Sequence, residues 1–409
     1  MRFRIISCLF FILALSSCQF FHQTLFEQLS ASETGIAFAN RITENDTMNI
    51  LDFEYVYNGG GVGLGDFNND GLQDVFFSGN QVSNRLYLNK GAMKFEDITQ
   101  KAGIGNNGKW CSGVSVVDIN NDGFLDVYVC ATASKVAQKR ENLLFVNQGV
   151  KNGVPIFKEM AKEYGVADDG HSTNSAFFDY DNDGDLDLYV LTNTIEKYPN
   201  AYRVKVADGS SPTTDRMYRN DYNADFKHGV FTNVSKEAGI LIEGYGLGLN
   251  ICDINRDGWK DIYVTNDYLT DDLLYINNQN GTFTDQAARY FKHTSNSAMG
   301  NDVVDMNNDG LADVIAVDMQ PRDNVRKKTL GGPNNYQTYL NNDQYGYTYQ
   351  YVRNTLQLNQ GFVPSADPKK AEVKFSDIGL YANVAETDWS WTPSVVDFDN
   401  DGQVGRAHV

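Results

Sequence analysis

The stretch GVSVVDINNDGFLDVYV, residues 113–129, decides the fold of this chain. Its centre, DINNDGFLD, follows the pattern Asp-x-Asn/Asp-x-Asp-Gly-x-x-Asp. The pattern is complete in five copies, at residues 66–74, 118–126, 179–187, 253–261 and 305–313. A sixth copy begins at Asp397 as DFDNDGQVG, with Gly405 at the ninth position. Such self-similarity at intervals of about 50 to 90 residues predicts a repeat architecture.

Each copy has similar sequence on both sides. A short apolar run such as GVSVVD or GLNICD precedes it, and a β-rich run such as DVYV or DIYV follows it. Further along each unit come a second signature, NRLYLNKG or NLLFVNQG, and a third, FEDITQKAGI or FTNVSKEAGI. Each unit therefore offers four strand candidates, with the acidic loop joining the first two.

Four strands per unit predict an all-β fold, a β-propeller of four-stranded antiparallel blades. About five to six blades are represented, with an incomplete last blade, which suggests a truncated product. Residues 25–36 (LFEQLSASETGI) resemble the third signature and predict an orphan outer strand that completes the last blade. Insertions are expected at about residues 192–229 and 318–353.

The loop pattern supplies oxygen ligands at the alternate positions that calcium prefers. Side chains at positions 1, 3, 5 and 9 and the backbone carbonyl at position 7 would bind the ion, while Gly at position 6 permits the turn. Five sites are predicted, and a sixth copy is incomplete. The predicted ligands are Asp66, Asn68, Asp70, Leu72 and Asp74; Asp118, Asn120, Asp122, Phe124 and Asp126; Asp179, Asp181, Asp183, Asp185 and Asp187; Asp253, Asn255, Asp257, Trp259 and Asp261; Asp305, Asn307, Asp309, Leu311 and Asp313; and Asp397, Asp399 and Asp401.

An EF-hand, a simple polar turn and a zinc or magnesium site each fit the loops less well. An EF-hand needs Glu at position 12, which here is Phe77, Val129, Val190, Val264 or Ala316. Simple polar turns would not require fixed ligand spacing in five copies. The loops contain no His or Cys, which argues against zinc, and magnesium demands a tighter octahedral geometry.

The acidic composition agrees with bound cations. The formal charge is −19, about half of which five divalent ions would neutralise. This charge also disfavours nucleic acid as a partner.

The N-terminus predicts export and a lipid anchor. Arg2 and Arg4 precede an apolar run that is too short to span a bilayer and ends at Ser17-Cys18. Residues 1–18 resemble a lipoprotein signal peptide with Cys18 as the lipidated residue, followed by a linker at 19–24 and the propeller at 25–409. We expect an exported bacterial lipoprotein at the outer membrane or cell surface, with secretion without lipid as the alternative. Cys111, Cys130 and Cys252 are expected to be buried free thiols.

With these motifs and the glycine-rich segment GGGVGLGDFN at residues 59–68, which leads into the first loop, the chain resembles the FG-GAP and VCBS repeat family. It is similar to the bacterial, cartilage acidic protein-like group, in which a propeller precedes an ASPIC/UnbV domain. The resemblance implies a seven-bladed, calcium-stabilised, integrin α-like propeller that acts in extracellular recognition or adhesion.

The sequence leaves open two functions from different classes. The first is a recognition or adhesion module for a glycan or protein, and the second is a calcium-dependent, lyase-like enzyme that processes polysaccharide. None of the five His residues falls in a catalytic motif, so no catalytic residue is predicted. Six Tyr between Tyr336 and Tyr351 could either grip a ligand or pack against the propeller itself.

Overall fold

The computed structural model describes residues 26–105, 108–195, 202–226, 228–330, 336–363 and 372–404. The predicted signal peptide, Cys18 and the linker at 19–24 lie outside the described residues. Within the described part, none of the helices combines the length and apolar character needed to cross a bilayer.

The strands form five four-stranded antiparallel sheets, which we call blades 1 to 5. In each blade the strands are paired in the order in which they occur in the chain. The bounds are β1 Val62–Gly65, β2 Asp74–Phe77, β3 Arg85–Asn89 and β4 Phe95–Asp97; β5 Trp110–Val117, β6 Asp126–Thr132, β7 Leu143–Lys151 and β8 Val154–Glu159; β9 His171–Phe178, β10 Asp187–Asn193, β11 Arg216–Asn223 and β12 His228–Asn233; β13 Gly246–Cys252, β14 Asp261–Asn266, β15 Leu273–Asn277 and β16 Phe283–Asp285; and, in blade 5, β18 Asn301–Val304, β19 Asp313–Ala316, β21 Thr355–Val363 and β22 Glu372–Asp377.

The first strands of successive blades contact one another, β1 with β5, β5 with β9, β9 with β13 and β13 with β18. The blades are therefore arranged radially with their first strands innermost, which confirms the predicted all-β, propeller-like fold. A further two-stranded parallel pair joins β17 (His293–Ser295) to β20 (Tyr349–Tyr351). In the chain, β17 lies between blades 4 and 5, and β20 lies between β19 and β21 of blade 5.

The hydrophobic core lies between blades rather than at one centre. One cluster joins Phe76 and Leu86 of blade 1 to Val127 and Phe145 of blade 2, and three more clusters join the later blades in the same way. Every residue of β6, β10 and β14 is buried because both faces of these second strands are covered by neighbouring sheets. The continuous apolar runs seen in the sequence have this cause.

A short helical turn follows the outer strand in most blades. The turns are α2 Thr99–Ala102, α3 Ala161–Tyr164 and α4 Ala287–Tyr290, and the same turn is present near the start of the chain as α1 Ala31–Thr34. The predicted orphan strand at residues 25–36 is therefore wrong for the described residues 26–36: they contain this helical turn and no strand. Ser30 caps α1 in a capping box with Glu33, which favours helix over strand at this point.

The helical turn packs on the next blade. A Cβ on Gly35 would lie 2.4 Å from the carbonyl oxygen of Phe95, and one on Gly165 would lie 2.6 Å from that of Phe231. Both glycines also have positive φ, 82° and 79°. The segment containing α1 thus packs on blade 1 as the turn of a preceding blade would.

The sixth loop lies beside blade 5. The Val395 N–H donates to Asp302 at 2.8 Å, and Asn308 donates to the Gly402 carbonyl at 3.5 Å. No strand follows the loop within the described residues 397–404.

The two insertions contact each other over blade 4. Lys205 of the first insertion forms an ion pair with buried Asp271 at 2.8 Å, and its N–H donates to the Tyr345 carbonyl. The second insertion contains α5 Asn324–Leu330 and α6 Tyr336–Tyr345. Its tyrosines pack partly on themselves: Tyr339 stacks on Tyr349 with centroids 4.6 Å apart, while Tyr336 remains 74% exposed.

The prediction of buried free thiols is confirmed for two of the three cysteines. Cys111 and Cys130 are buried, and Cys252 is partly buried.

Candidate metal-binding loops

The carboxylate at position 1 closes each acidic loop. Asp66 accepts the N–H of Asp70 at 3.0 Å through Oδ1 and that of Gly71 at 2.7 Å through Oδ2. The same two hydrogen bonds form at Asp118, Asp179, Asp253, Asp305 and Asp397. The loops therefore share one backbone conformation, including the sixth.

Two positions of each loop have left-handed backbone. Gly at position 6 has φ between 82° and 99°, as the sequence predicted. Position 4 is also left-handed, with φ of 56° to 58°, a feature that sequence reasoning missed. It is Asn in every loop except the fourth, where Arg256 stands, and Asn tolerates this conformation better than other non-glycine residues. In the sequence, the Asn that recurs at position 4 was the signal for this left-handed conformation.

Positions 3 and 5 face each other across the loop. Asn68 donates to Asp70 at 2.9 Å, and the corresponding pairs in the second, fourth and fifth loops have the same bond. Position 7 enters this network through its backbone: the Leu72 N–H donates to Asp70 at 3.0 Å, which leaves the side chain free to vary. The Asn68 Oδ1 is buried without a hydrogen-bond partner in the structure. An unpartnered amide oxygen of this kind suits a cation ligand.

The carboxylate at position 9 anchors the loop to its own blade. Asp74, Asp126, Asp187, Asp261 and Asp313 are all fully buried. Asp126, for example, accepts the N–H of Ile119 at 3.0 Å and that of Asn147 at 2.7 Å. This side chain therefore connects the loop to the third strand as well as contributing charge.

Burial raises the pKa of each of these five carboxyl groups. The pKa reaches about 6 for Asp74, about 7 for Asp126 and Asp261, and about 8 for Asp187, and it is also raised for Asp313. The first cause is loss of solvent, and repulsion from other carboxylates of the same loop adds to it. A nearby divalent cation would remove this electrostatic cost.

The third loop concentrates the most negative charge. One carboxylate oxygen each from Asp179, Asp181 and Asp187 lie within 4.8 Å of one another, and Asp397, Asp399 and Asp401 form a similar group. Asp181 and Asp185 each have an Oδ1 that is buried and without a hydrogen-bond partner. Burial raises the pKa of Asp185 to about 6, with Asp183 as the next cause. These side chains fit a hard divalent cation such as calcium.

The last Asn of the NRLYLN-type signature links the first, third and fourth loops to the next blade. Asn147 of blade 2 donates to the Phe67 carbonyl of the first loop at 2.9 Å. Asn277 donates in the same way to Tyr180 at 2.8 Å, and Asn359 to Ile254 at 3.4 Å. The order of a loop is therefore coupled to the contact between adjacent blades. The sequence showed this Asn as a repeat but gave no role for it.

The described histidines contact other side chains of the fold, one by ring stacking and two through polar groups. His171 lies 3.3 Å from Thr132, and burial lowers its pKa to about 4. His228 stacks on Tyr164 with centroids 4.0 Å apart, and His293 pairs with Asp377 at 2.9 Å. These contacts do not identify a catalytic base.

The FG-GAP-like repeat model matches residues 66–129 and 253–316. The first segment contains the first and second acidic loops, and the second segment contains the fourth and fifth. Cartilage acidic protein 1 of Xenopus tropicalis is 25% identical over 214 residues, covering 51% of this chain and 29% of that protein. The proteins of the same name from Mus musculus and Homo sapiens are both 30% identical, over 135 and 136 residues, covering 32% of this chain and 20% of each protein. The match thus spans less than a third of the length of each relative.

Among solved structures, the chain is similar to the Vibrio cholerae biofilm matrix protein Bap1, with a TM-score of 0.32 and 13% identity. That similarity covers 62% of this chain and 34% of the other.

Proposed function

We propose that this FG-GAP repeat protein, similar to cartilage acidic protein 1, is a calcium-stabilised recognition or adhesion module of the cell envelope. The observation that carries the proposal is the buried carboxylate at position 9, which anchors the acidic loop to its blade and has a raised pKa. Calcium would supply positive charge that offsets the electrostatic cost of keeping the buried carboxylates of the loop ionised. The predicted loop ligands would hold the ion.

Calcium would also act on blade packing. The Asn147 amide donates to the carbonyl of Phe67, which lies inside the first loop. A loop held in one conformation keeps this acceptor in place for the neighbouring blade. We therefore expect calcium to stabilise the contacts between blades and to keep the outer surfaces fixed for a partner.

The proposed partner is an extracellular glycan or protein, and the proposed location is the outer membrane or cell surface, with the chain attached by lipid at Cys18. The polysaccharide lyase alternative has no specific support in the described residues, because the histidines there contact other side chains of the fold and do not identify a catalytic base.

A metal count with a melting curve tests the calcium part of the proposal. Purified protein should contain about four or more calcium ions per chain after equilibration at millimolar calcium, and removal of calcium should lower the melting temperature. A count well below that number, or an unchanged melting temperature, contradicts the proposal. Metabolic labelling with palmitate of the wild-type chain and of Cys18→Ser tests the anchor, since the label should be lost in the variant. Incubation with a polysaccharide panel and detection of unsaturated products tests the lyase alternative.

A further inference from the structure

A cavity of about 330 Å³ lies where the first strands of the blades converge. Its wall takes residues from each blade in turn: Gly61 before β1, Ser112 of β5, Thr173 of β9, Leu247 of β13 and Met299 before β18. Residues 391 and 392, which precede the sixth loop, complete the lining. The cavity therefore lies on the axis of the radial arrangement. It opens to solvent, because the lining residues Val62 and Trp391 are 56% and 44% exposed.

Glycine allows the first strands to come this close together. A Cβ on Gly61 would lie 2.8 Å from the Val114 nitrogen, and one on Gly113 would lie 2.6 Å from the Thr173 carbonyl oxygen. Larger residues at these positions would push adjacent blades apart. The glycine-rich segment at residues 59–65 and Gly113 thus shape the walls of the cavity.

A segment from the start of the chain crosses the axis and supplies aromatic side chains. Phe53 packs edge-to-face on Trp110, with centroids 5.9 Å apart. The Tyr55 hydroxyl donates to buried Asp267 of blade 4 at 2.8 Å. Phe53, Tyr55 and Trp110 are each at most 9% exposed. This part of the wall is therefore fixed by contacts to two different blades.

The cavity is lined by uncharged polar groups and aromatic rings, together with glycines and four aliphatic side chains. The rings are those of Phe53, Tyr55, Trp110 and Trp391, the hydroxyl groups come from Ser and Thr, and the amides from Asn58, Asn174 and Asn193. The described lining contains no Asp, Glu, Lys, Arg or His. An ionic ligand would lose its hydration here without gaining an opposite charge.

A sugar ring fits this lining in chemical terms. Its carbon–hydrogen faces can stack on aromatic rings, and its hydroxyl groups can exchange hydrogen bonds with amides and hydroxyls. Asn174 Oδ1 accepts the Ser175 N–H at 2.9 Å, so its amide nitrogen is the part of that side chain available to a ligand. The volume lies at the lower end of the range for small-molecule sites, roughly 300 to 1,000 Å³. The end of a glycan fits better than the middle of a long chain.

We propose that this axial cavity is a binding site for the uncharged end of a glycan, formed by Trp391, Asn174 and the aromatic wall of Phe53, Tyr55 and Trp110. The proposal deepens the recognition function proposed above and rests on it.

Intrinsic fluorescence offers a direct test, because two of the four tryptophans line the cavity. The calcium-loaded full chain is titrated with neutral oligosaccharides, the cello-, xylo-, malto- and chito- series, and with acidic ones derived from alginate and polygalacturonate. We expect saturable binding of at least one neutral series and none of the acidic ones. Binding of acidic oligosaccharides alone would overturn the proposal.

Trp389 provides a matched control for Trp391. The two residues are 52% and 44% exposed, and Trp391 is the one that lines the cavity. Trp391→Ala should weaken binding of the neutral oligosaccharide roughly tenfold or more, whereas Trp389→Ala should leave it within about twofold. Asn174→Ala should also weaken binding. Calorimetric titration gives the affinity of each variant, and calcium-dependent melting curves show that each is folded.

The outcomes separate this proposal from the broader one. Glycan binding that survives Trp391→Ala and Asn174→Ala unchanged would place recognition elsewhere on the molecule, and the axial site would be wrong. If no neutral oligosaccharide binds while calcium still stabilises the chain, the axial proposal fails and the calcium part of the proposed function stands. Failure of calcium to stabilise the chain would contradict the proposed function itself.

Discussion

The first and third acidic loops share one backbone and differ in charge. In both, the position 1 carboxylate accepts the N–H groups of positions 5 and 6, and position 4 is left-handed with φ of 56° or 58°. The first loop has Asn68 and Leu72 where the third has Asp181 and Asp185. The pKa of the buried position 9 carboxyl is raised to about 6 in Asp74 and to about 8 in Asp187, in both cases first by burial, with repulsion from carboxylates of the same loop as a further cause.

This comparison separates the shape of a loop from its charge. Positions 1, 4, 6 and 9 set the backbone, because their hydrogen bonds and left-handed conformations recur in both loops. Positions 3 and 7 can add carboxylates without changing that backbone. We therefore expect the third loop to bind calcium most tightly, since affinity in oxygen-ligand loops depends on the number of charged ligands.

Of the changes proposed here, removal of calcium from every loop should have the largest effect on stability. Each site occupied at about 100 times its Kd stabilises the fold by about 2.7 kcal/mol, so metal-free protein should melt roughly 10 °C or more below the loaded form. Calorimetry of protein dialysed free of metal, with and without added calcium, measures this difference. An equal melting temperature in both forms would mean that loop charge has no bearing on stability.

The pH dependence of the metal-free protein follows from the raised pKa values. In the folded state Asp74, Asp126 and Asp187 hold their protons to a pH of about 6 to 8, well above the pKa of an unfolded Asp. Between the unfolded pKa of about 4 and these folded values the folded state binds more protons, so metal-free stability should fall as pH rises through that window, up to about 8. The stabilisation by calcium should therefore be greater at pH 8 than at pH 6. Urea unfolding at both pH values measures it, and a smaller calcium effect at pH 8 would contradict the assignment.

Neutralising position 9 should affect the third loop more than the first. Asp187→Asn should remove about 2 to 3 kcal/mol of the calcium-dependent part of the unfolding free energy, and Asp74→Asn should remove less. Urea unfolding of each variant with and without calcium isolates that part. Asp225→Asn, at an exposed carboxylate outside the loops, is the control and should change nothing. A loss that is the same with and without calcium would assign position 9 a purely structural role.

Exchanging the position 7 residue between the first and third loops tests whether a carboxylate there increases the affinity for calcium. Asp185→Leu should raise the Kd of the tightest calcium site roughly tenfold, and Leu72→Asp should lower that of the first loop in the same proportion. Both side chains lie at least partly in solvent, so both variants should fold. Calorimetric titration of calcium gives the affinities. Unchanged affinities in the reciprocal pair would show that position 7 acts through its backbone alone.

The smallest effect is expected at position 4. Arg256→Asn, at φ of 58°, should stabilise the fourth loop by about 0.5 kcal/mol because Asn adopts left-handed backbone more readily. The reciprocal Asn121→Arg, at φ of 56°, should destabilise the second loop by a similar amount. Chemical denaturation measures both. Destabilisation by Arg256→Asn would show that the Arg side chain contributes more than its backbone strain costs.

Local patterns predict the structure correctly where spacing alone fixes the geometry. The five loops, their flanking strands and the four-stranded blades follow from the fixed spacing within each loop and from the signatures that recur after it, and the structure confirms the strands and the blades. The strand predicted at residues 25–36 is wrong for the described residues 26–36, because the resemblance to the third signature does not distinguish that strand from the helical turn after it. The left-handed position 4 is visible in the sequence only as a repeated Asn, which does not by itself specify a backbone conformation.

The sequence by itself determined which residues could bind cations and how often the unit repeats, because both depend on short-range spacing. Only the tertiary structure decided that Asn147 joins the loop of another blade, that residues from five blades line one axial cavity, and that Tyr55 reaches Asp267. These contacts join residues far apart in the chain, and their geometry depends on how whole sheets pack. A periodic pattern specifies each sheet, but side chains from different sheets meet only after the sheets have packed together.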